Sequence, residues 1–173
     1  MAGRGAPPVV TVWTGLLIVG GGPGALAAAE IASGRRLPSL LVGHEAGKGP
    51  NAEWPVPLDD AAVEALTPNG VLDVLRPYLA VAEPPTLSPH VFEDILKHHC
   101  VADMNVTVYD QLEVVEREPT GHGLRGVLTD GRARWQVEAE ALIDTTDYPP
   151  ELSDAVNRAA ADVRAVLQRM QEA

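Results

Sequence analysis

Aromatic residues are scarce in this chain: one Phe, three Trp and three Tyr among 173 positions, 4% of the total. So few rings leave little to stack on nucleic-acid bases. Cysteine is scarcer still, with Cys100 alone. An internal disulfide and a two-cysteine redox centre are excluded, and a reduced, cytoplasmic setting is the simple expectation. Basic residues are outnumbered, 13 Lys and Arg against 24 Asp and Glu, for a formal net charge of −11. Such an acidic surface argues against nucleic acid and anionic membranes as partners. Long apolar runs are also lacking. The stretch after Arg4 is broken by glycines at 20–24 around Pro23, and Glu30 and Arg35 follow soon after, which argues against a membrane span or secretory signal. What remains, 46% hydrophobic and 21% charged residues, describes one globular domain with a real core.

The informative stretch is residues 16–43, LLIVGGGPGALAAAEIASGRRLPSLLVG. Its opening apolar run, LLIV, reads as a buried parallel strand. Glycines and Pro23 follow, then an Ala-rich segment of helix-forming composition at residues 25–33, then a second apolar run at 40–42. Strand, glycine turn, helix and strand make one βαβ unit, and the spacing fits G-x-G-x-x-[G/A] with Gly20, Gly22 and Ala25 at the three key places. Each place has a physical reason. Gly20 permits the sharp turn, Gly22 lets a pyrophosphate approach the backbone, and Ala25 lets helix and strand pack closely. The helix start, through its unpaired N–H groups and its dipole, favours a diphosphate there. The phosphate-binding candidates are therefore Gly20, Gly22, Pro23, Gly24 and Ala25.

Residues 1–15 read as a flexible lead, with a possible extended piece at 9–13. Residues 47–57 read as a loop, 58–66 as a helix with Asp59 and Asp60 in its first turn, and 71–79 as a short helix ended or kinked near Pro77. Residues 88–103 read as a firmer helix with Ser88 as N-cap, Pro89 at the first helical position, and Phe92, Ile95, Leu96, His99 and Cys100 on one face. His98, His99 and Cys100 resemble a metal triplet, but neighbours on a helix diverge by about 100°, so they cannot meet on one ion without ligands from elsewhere. They are read as helix packing, with no metal site. Residues 105–109, 112–118, 124–129 and 134–138 read as strands, the last three forming an antiparallel meander around turns at 121–123 and 130–131. The short apolar run 141–143 should return to the parallel sheet. The chain from 151 to 173 reads as one helix whose apolar stripe (Leu152, Ala155, Val156, Ala159, Val163, Val166, Leu167 and Met170) docks on the domain or on a partner.

Three segments together resemble FAD-dependent oxidoreductases with a glutathione-reductase-like FAD domain. They are IVGGGPGALAAAEIA at 18–32, the order of helix SPHVFEDILKHH, strand and meander, and LIDTTD at 142–147. The last is similar to the hhhATG or IDATGD segment of that family. The resemblance implies a Rossmann-like, three-layer α/β domain at residues 16–150, with a parallel sheet and a three-stranded antiparallel meander covering one side. It implies FAD, with NAD(P) a weaker alternative, and a small-molecule substrate. It also sets Thr145, Thr146 and Asp147 where Ala-Thr-Gly is usual, with small residues close to the cofactor. It leaves Asp144 and Asp147 to bind cofactor hydroxyls or to cap the last helix, capping being the reading favoured for Asp147. In such flavoproteins an acid directly after the second strand holds a ribose hydroxyl. Counted without a gap, that place is Gly43, and His44 and then Glu45 follow.

Full flavoproteins of this kind are longer, so the resemblance implies a compact or truncated FAD domain. No catalytic acid or base is identified, since a flavin performs the redox step and the protein binds and orients it. Two readings result. One is an FAD-dependent oxidoreductase or its FAD-binding subunit, with a protein partner completing the active site. The other is a non-catalytic relic of the fold that acts in binding or assembly.

Overall fold

The structure is a computed structural model and describes residues 10–43, 55–68, 70–79, 84–109 and 111–172. The apolar run at 16–19 lies in a longer strand, β1 (Thr11–Val19), and the glycine turn leads into α1 (Pro23–Gly34) and then β2 (Ser39–Val42). Next come a two-residue strand β3 (Val56–Pro57), helix α2 (Asp60–Leu66) and helix α3 (Val71–Leu75), which tightens into a 3-10 turn at Arg76–Tyr78. Pro77 ends the α-helix there, as its missing N–H requires. A second two-residue strand, β4 (Thr86–Leu87), pairs antiparallel with β3. After it come α4 (Pro89–Ala102), β5 (Val106–Tyr109), β6 (Glu113–Thr120), β7 (Gly123–Thr129), β8 (Arg134–Asp144) and α5 (Leu152–Glu172).

The main sheet has the order β5-β2-β1-β8-β7-β6. The first four strands are parallel, and β7 and β6 complete it antiparallel. This is the Rossmann-like α/β architecture with a meander that the patterning implies. Three details differ from the reading of the residues. Residues 11–15, all within the flexible lead with only an extended piece at 9–13 allowed for, belong to β1, which is paired to β8 from Thr11 opposite Gln136. The runs 134–138 and 141–143 are one strand, so the meander is hydrogen-bonded into the parallel sheet itself. Charge at Glu138 and Glu140 made the run look interrupted. Glu138 instead pairs with Arg125 on β7 at 3.0 Å, so a charge is tolerated on that exposed side. Finally, residues 56–57, inside the stretch read as a loop, pair with residues 86–87 in the small β3–β4 ladder.

The sheet separates two apolar clusters, as strand alternation demands. Leu16, Ile18, Leu41 and Ile143 face α1, α2, α3, α4 and α5, where Leu26, Leu66, Phe92, Leu96 and Val163 complete the larger core. Leu17, Leu40 and Val42 face the other way and pack with Leu128, Val137 and Ala139 of the meander. The second cluster is thus shared by the parallel strands and the meander of one continuous sheet, and the meander does not form the separate covering layer that the resemblance implies. The apolar stripe of α5 docks on α1 and α2 of the same chain, and its Leu152, Ala155, Val156, Ala159, Val163 and Val166 are buried. Asp59 caps α2 by accepting from the Ala62 N–H at 2.8 Å, and Asn157 of α5 donates to the same carboxylate at 3.0 Å. Ser88 occupies the N-cap position of α4, but its side chain makes no capping hydrogen bond. Pro89 supplies the start instead, through its preset φ.

Gly15 sits where β1 crosses the turn before β2. A Cβ there would lie 2.8 Å from Leu37 Cδ1 and 3.0 Å from the Pro38 carbonyl oxygen. Gly15→Ala is therefore expected to lower stability by about 1–3 kcal/mol through overpacking. A urea denaturation midpoint equal to the parent's would refute that packing.

Candidate functional site

Parallel strands present their carboxyl ends together, and ligands of open α/β sheets bind there. In this chain β2, β1 and β8 end side by side, and short hydrogen bonds continue beyond the strands. The Gly20 N–H donates to the Val42 carbonyl at 3.1 Å, and the Thr145 N–H donates to the Val19 carbonyl at 2.8 Å. The chain can run this tightly only because it is glycine at the crossing points. Gly20 has φ +126° and Gly43 has φ +80°, in the region L side chains rarely enter. A Cβ at Gly20 would strike the Thr145 hydroxyl, and one at Gly43 would lie 3.6 Å from the Gly20 nitrogen. Two of the sequence candidates, Gly20 and Thr145, thus touch, with Gly43 beside them.

Gly22 is the N-cap of α1 with φ 90° and ψ −176°, a conformation reserved for glycine, and Pro23 opens the helix. No side chain caps this end, and the first turn carries no acidic residue. A positive helix end with no carboxylate in its first turn suits a phosphate. Gly21 is exposed, whereas Gly20, Gly22, Pro23, Gly24 and Ala25 are buried. Ala25 is fully buried in the core beneath the helix, as its small size implied. Gly24 is small for a different reason, since a Cβ there would lie 2.5 Å from the Tyr148 ring and 3.5 Å from Ala155 Cβ. Tyr148 was missed from sequence. Its hydroxyl donates to Asp162 at 2.7 Å, with the Arg158 guanidinium 5.6 Å from the ring centre. Burial first, then that bond to a carboxylate, push its phenol well above its ordinary pKa, so it is a neutral donor.

Asp144 stands at the end of β8. One of its oxygens accepts from both terminal nitrogens of Arg117 at 3.1 Å, and the other accepts from the Thr146 N–H at 3.0 Å and hydroxyl at 2.6 Å. Burial pushes its pKa up, but the bonds from Thr146 and Arg117 outweigh that and hold it below the usual carboxylate value. Thr145 is buried, and its hydroxyl donates to the Val19 carbonyl at 3.0 Å. Both side chains are thus engaged by bonds within the chain, and Thr145 lies against Gly20. Asp147 is exposed and lies five residues before α5, so it does not occupy that helix's N-cap position. His44 and Glu45 lie outside the described residues. Arg117 was also unmarked in sequence, because one Arg among the alternating charges of β6 carries no signal of what it reaches.

Away from the turn, the three adjacent residues His98, His99 and Cys100 diverge as expected. His98 Nδ1 lies 2.7 Å from the Asp94 carbonyl oxygen, whereas His99 Nδ1 lies 2.7 Å from Glu30 Oε1 of α1. The Cys100 thiol is buried and donates to the same Glu30 oxygen at 3.2 Å. Burial, reinforced by the Glu30 charge, raises its pKa far above the ordinary thiol range, so Cys100 is no nucleophile. Among the described residues no helix is long and apolar enough to cross a membrane.

No protein-family model matches the chain, and no curated protein matches it. Solved structures do share its fold. One is the flavin-dependent monooxygenase PieE in complex with FAD and substrate, with a TM-score of 0.65, 20% identity, and coverage of 76% of this chain and 30% of that one. A second is the substrate-free rebeccamycin biosynthetic enzyme RebC, with a TM-score of 0.64, 17% identity, and coverage of 79% and 33%. A third is p-nitrophenol 4-monooxygenase PnpA from Pseudomonas putida DLL-E4, with a TM-score of 0.61, 14% identity, and coverage of 78% and 40%. The match spans well under half the length of each of these proteins, and at such identities the likeness is one of fold.

The Arg117–Asp144 pair is testable by pH. Because the folded pKa of Asp144 is depressed, the pair's contribution is complete at neutral pH. It declines as the unfolded carboxyl titrates near about pH 4 and is gone below the folded value. Arg117→Gln should cost about 0.2–1 kcal/mol at pH 7, as for partly exposed pairs. The gap from the parent, measured by denaturation, should close on acidification. A gap that is constant with pH would rule out the pairing.

Proposed function

We propose that this chain is the FAD-binding part of a flavin-dependent oxidoreductase of the glutathione-reductase-like kind. The observation that carries this is the set of three positive-φ glycines, Gly20, Gly22 and Gly43, gathered at the carboxyl ends of β1 and β2 and the start of α1. Such a backbone admits close approach and turns helix N–H groups toward an anion. The shared fold with flavin-dependent monooxygenases, one of them holding FAD, supports FAD over NAD(P).

In this reading residues 20–25 hold the pyrophosphate through the N-terminus of α1. Pro23 fixes the first turn, and Gly24 and Ala25 keep the helix close to Tyr148 and the sheet. The end of β2 at Gly43 would lie beside the adenosine ribose. Gly43 offers only backbone, so His44 and Glu45 are the candidates for a side-chain contact. Asp144 and Thr145, held by Arg117 and by Val19, form the rigid wall beside the turn. A bound flavin would supply electron transfer to and from a small-molecule substrate, and this chain's share is to bind and orient it. A protein partner that completes the active site, and a cytoplasmic location, belong to the same proposal.

The decisive measurement is titration of the purified chain with FAD, following flavin absorbance and fluorescence. Binding should be saturable, and Gly22→Ala should weaken it about tenfold or more, on the scale of a lost charged hydrogen bond. Circular dichroism should show the variant folded. Equal affinity in parent and variant would reject the turn assignment. No binding by the folded parent would reject the flavin reading in favour of a non-catalytic descendant of the fold.

A further inference from the structure

Glu30 is 1% exposed, although carboxylates are rarely buried so fully without partners that repay desolvation. Its surroundings are unusual. His99, on the last turn of α4, places Nδ1 2.7 Å from Glu30 Oε1. Asp103, which ends α4, follows His99 at the i, i+4 spacing that puts two side chains on one face. Donor atoms of Glu30, His99 and Asp103 all lie within 4.8 Å of one another. Three ligands that sequence proximity could not assemble are thus brought together by two helices.

We propose that Glu30, His99 and Asp103 form a binding site for a divalent transition-metal ion of the zinc class. Ligand–metal bonds of about 2.0–2.2 Å place neighbouring donors about 3.3–3.6 Å apart in a tetrahedron. Since no two donors are more than 4.8 Å apart, changes of up to about 1.5 Å in donor separation reach that arrangement. Imidazole with two carboxylates suits zinc, cobalt or ferrous iron rather than calcium or magnesium, which favour all-oxygen shells. The supporting contacts that metal sites require are present. The Ser33 hydroxyl donates to Asp103 Oδ2 at 2.5 Å, the Asn105 N–H donates to Asp103 Oδ1 at 2.8 Å, and the Cys100 thiol donates to Glu30. The His99 side chain is 25% exposed, so the cluster reaches the surface through that residue. The ion would tie the far end of α1 to the end of α4, away from the glycine turn, so the site is independent of the flavin reading.

The test uses the whole chain, stripped with a chelator and titrated with Co2+. Binding should produce the visible bands of a low-coordinate cobalt site at stoichiometric metal, and Zn2+ should displace them and raise the melting temperature. Asp103→Asn retains the shape and the contact with Asn105, and His99→Gln retains a polar group. Each should weaken Co2+ binding about a hundredfold or more, beyond what loss of an outer contact costs, with unchanged circular dichroism. If the parent gives no cobalt bands, or both folded variants bind as the parent does, the site does not exist.

Discussion

Helix α1 is enclosed on every side, and the rest of the chain is arranged to close around it. Ten of its twelve residues are buried, which a surface helix with one apolar stripe never shows. The sheet lies beneath it, α4 flanks it, and α5 and α2 cover it. Alanines at 25, 27, 28, 29 and 32 make this possible. They bring little apolar area each, but they let neighbouring backbones approach closely. A larger residue on any face would push a whole element outward, because dense interiors transmit such strain. The same enclosure explains why a charge inside α1, at Glu30, requires a polar answer from α4, and why His99 and Cys100 are turned toward it.

Enclosure also fixes where the helix begins. Gly24 meets the Tyr148 ring, and Gly20 meets Thr145, so the turn between β1 and α1 is held by the segment that follows β8. The first turn of α1 has no acid, although the chain as a whole carries a formal charge of −11. The helix end is therefore a local positive feature on an acidic molecule. Long-range repulsion of an anion is screened over about 8–10 Å at moderate salt, while the backbone donors act at contact distance.

The glycine turn was legible because its spacing is dictated by backbone geometry. Gly20 and Gly22 had to be glycine wherever the side chains around them fell, and the apolar runs on either side alternate between turn and strand composition. The stripe of α5 was legible for a similar reason, since Leu152 through Val166 repeat at helical spacing. What sequence hid depends on distant partners. Glu138 and Glu140 made β8 look like two strands, because nothing local shows that Glu138 faces Arg125 on an exposed side. Ser88 has the residue type of a cap and the position of one, yet its hydroxyl makes no capping bond. Glu30 and His99 are separated by 69 positions, so the outside ligand that His99 lacked in the linear reading becomes visible only when α1 and α4 pack. Tyr148 and Arg117 belong to the same class: their roles are set by what the fold places opposite them.

The segment after β8 shows how such partners add up to a site. Thr145 is bonded through both its N–H and its hydroxyl to Val19, Thr146 closes a tight turn onto Asp144, Arg117 reaches Asp144 from β6, and Tyr148 is tied to Asp162 of α5. Three elements, β1, β6 and α5, thus hold Thr145, Asp144 and Tyr148 from different directions. None of these bonds is strong alone, and a typical one contributes about 0.5–1.5 kcal/mol net. Their common effect is to remove freedom from the wall facing the glycine turn before any ligand arrives. Affinity at a site depends heavily on how much ordering binding must still cause. In the proposed flavin reading the helix start and the segment beside it carry these bonds before FAD arrives, so selection would rest on shape and charge at the turn rather than on a folding step.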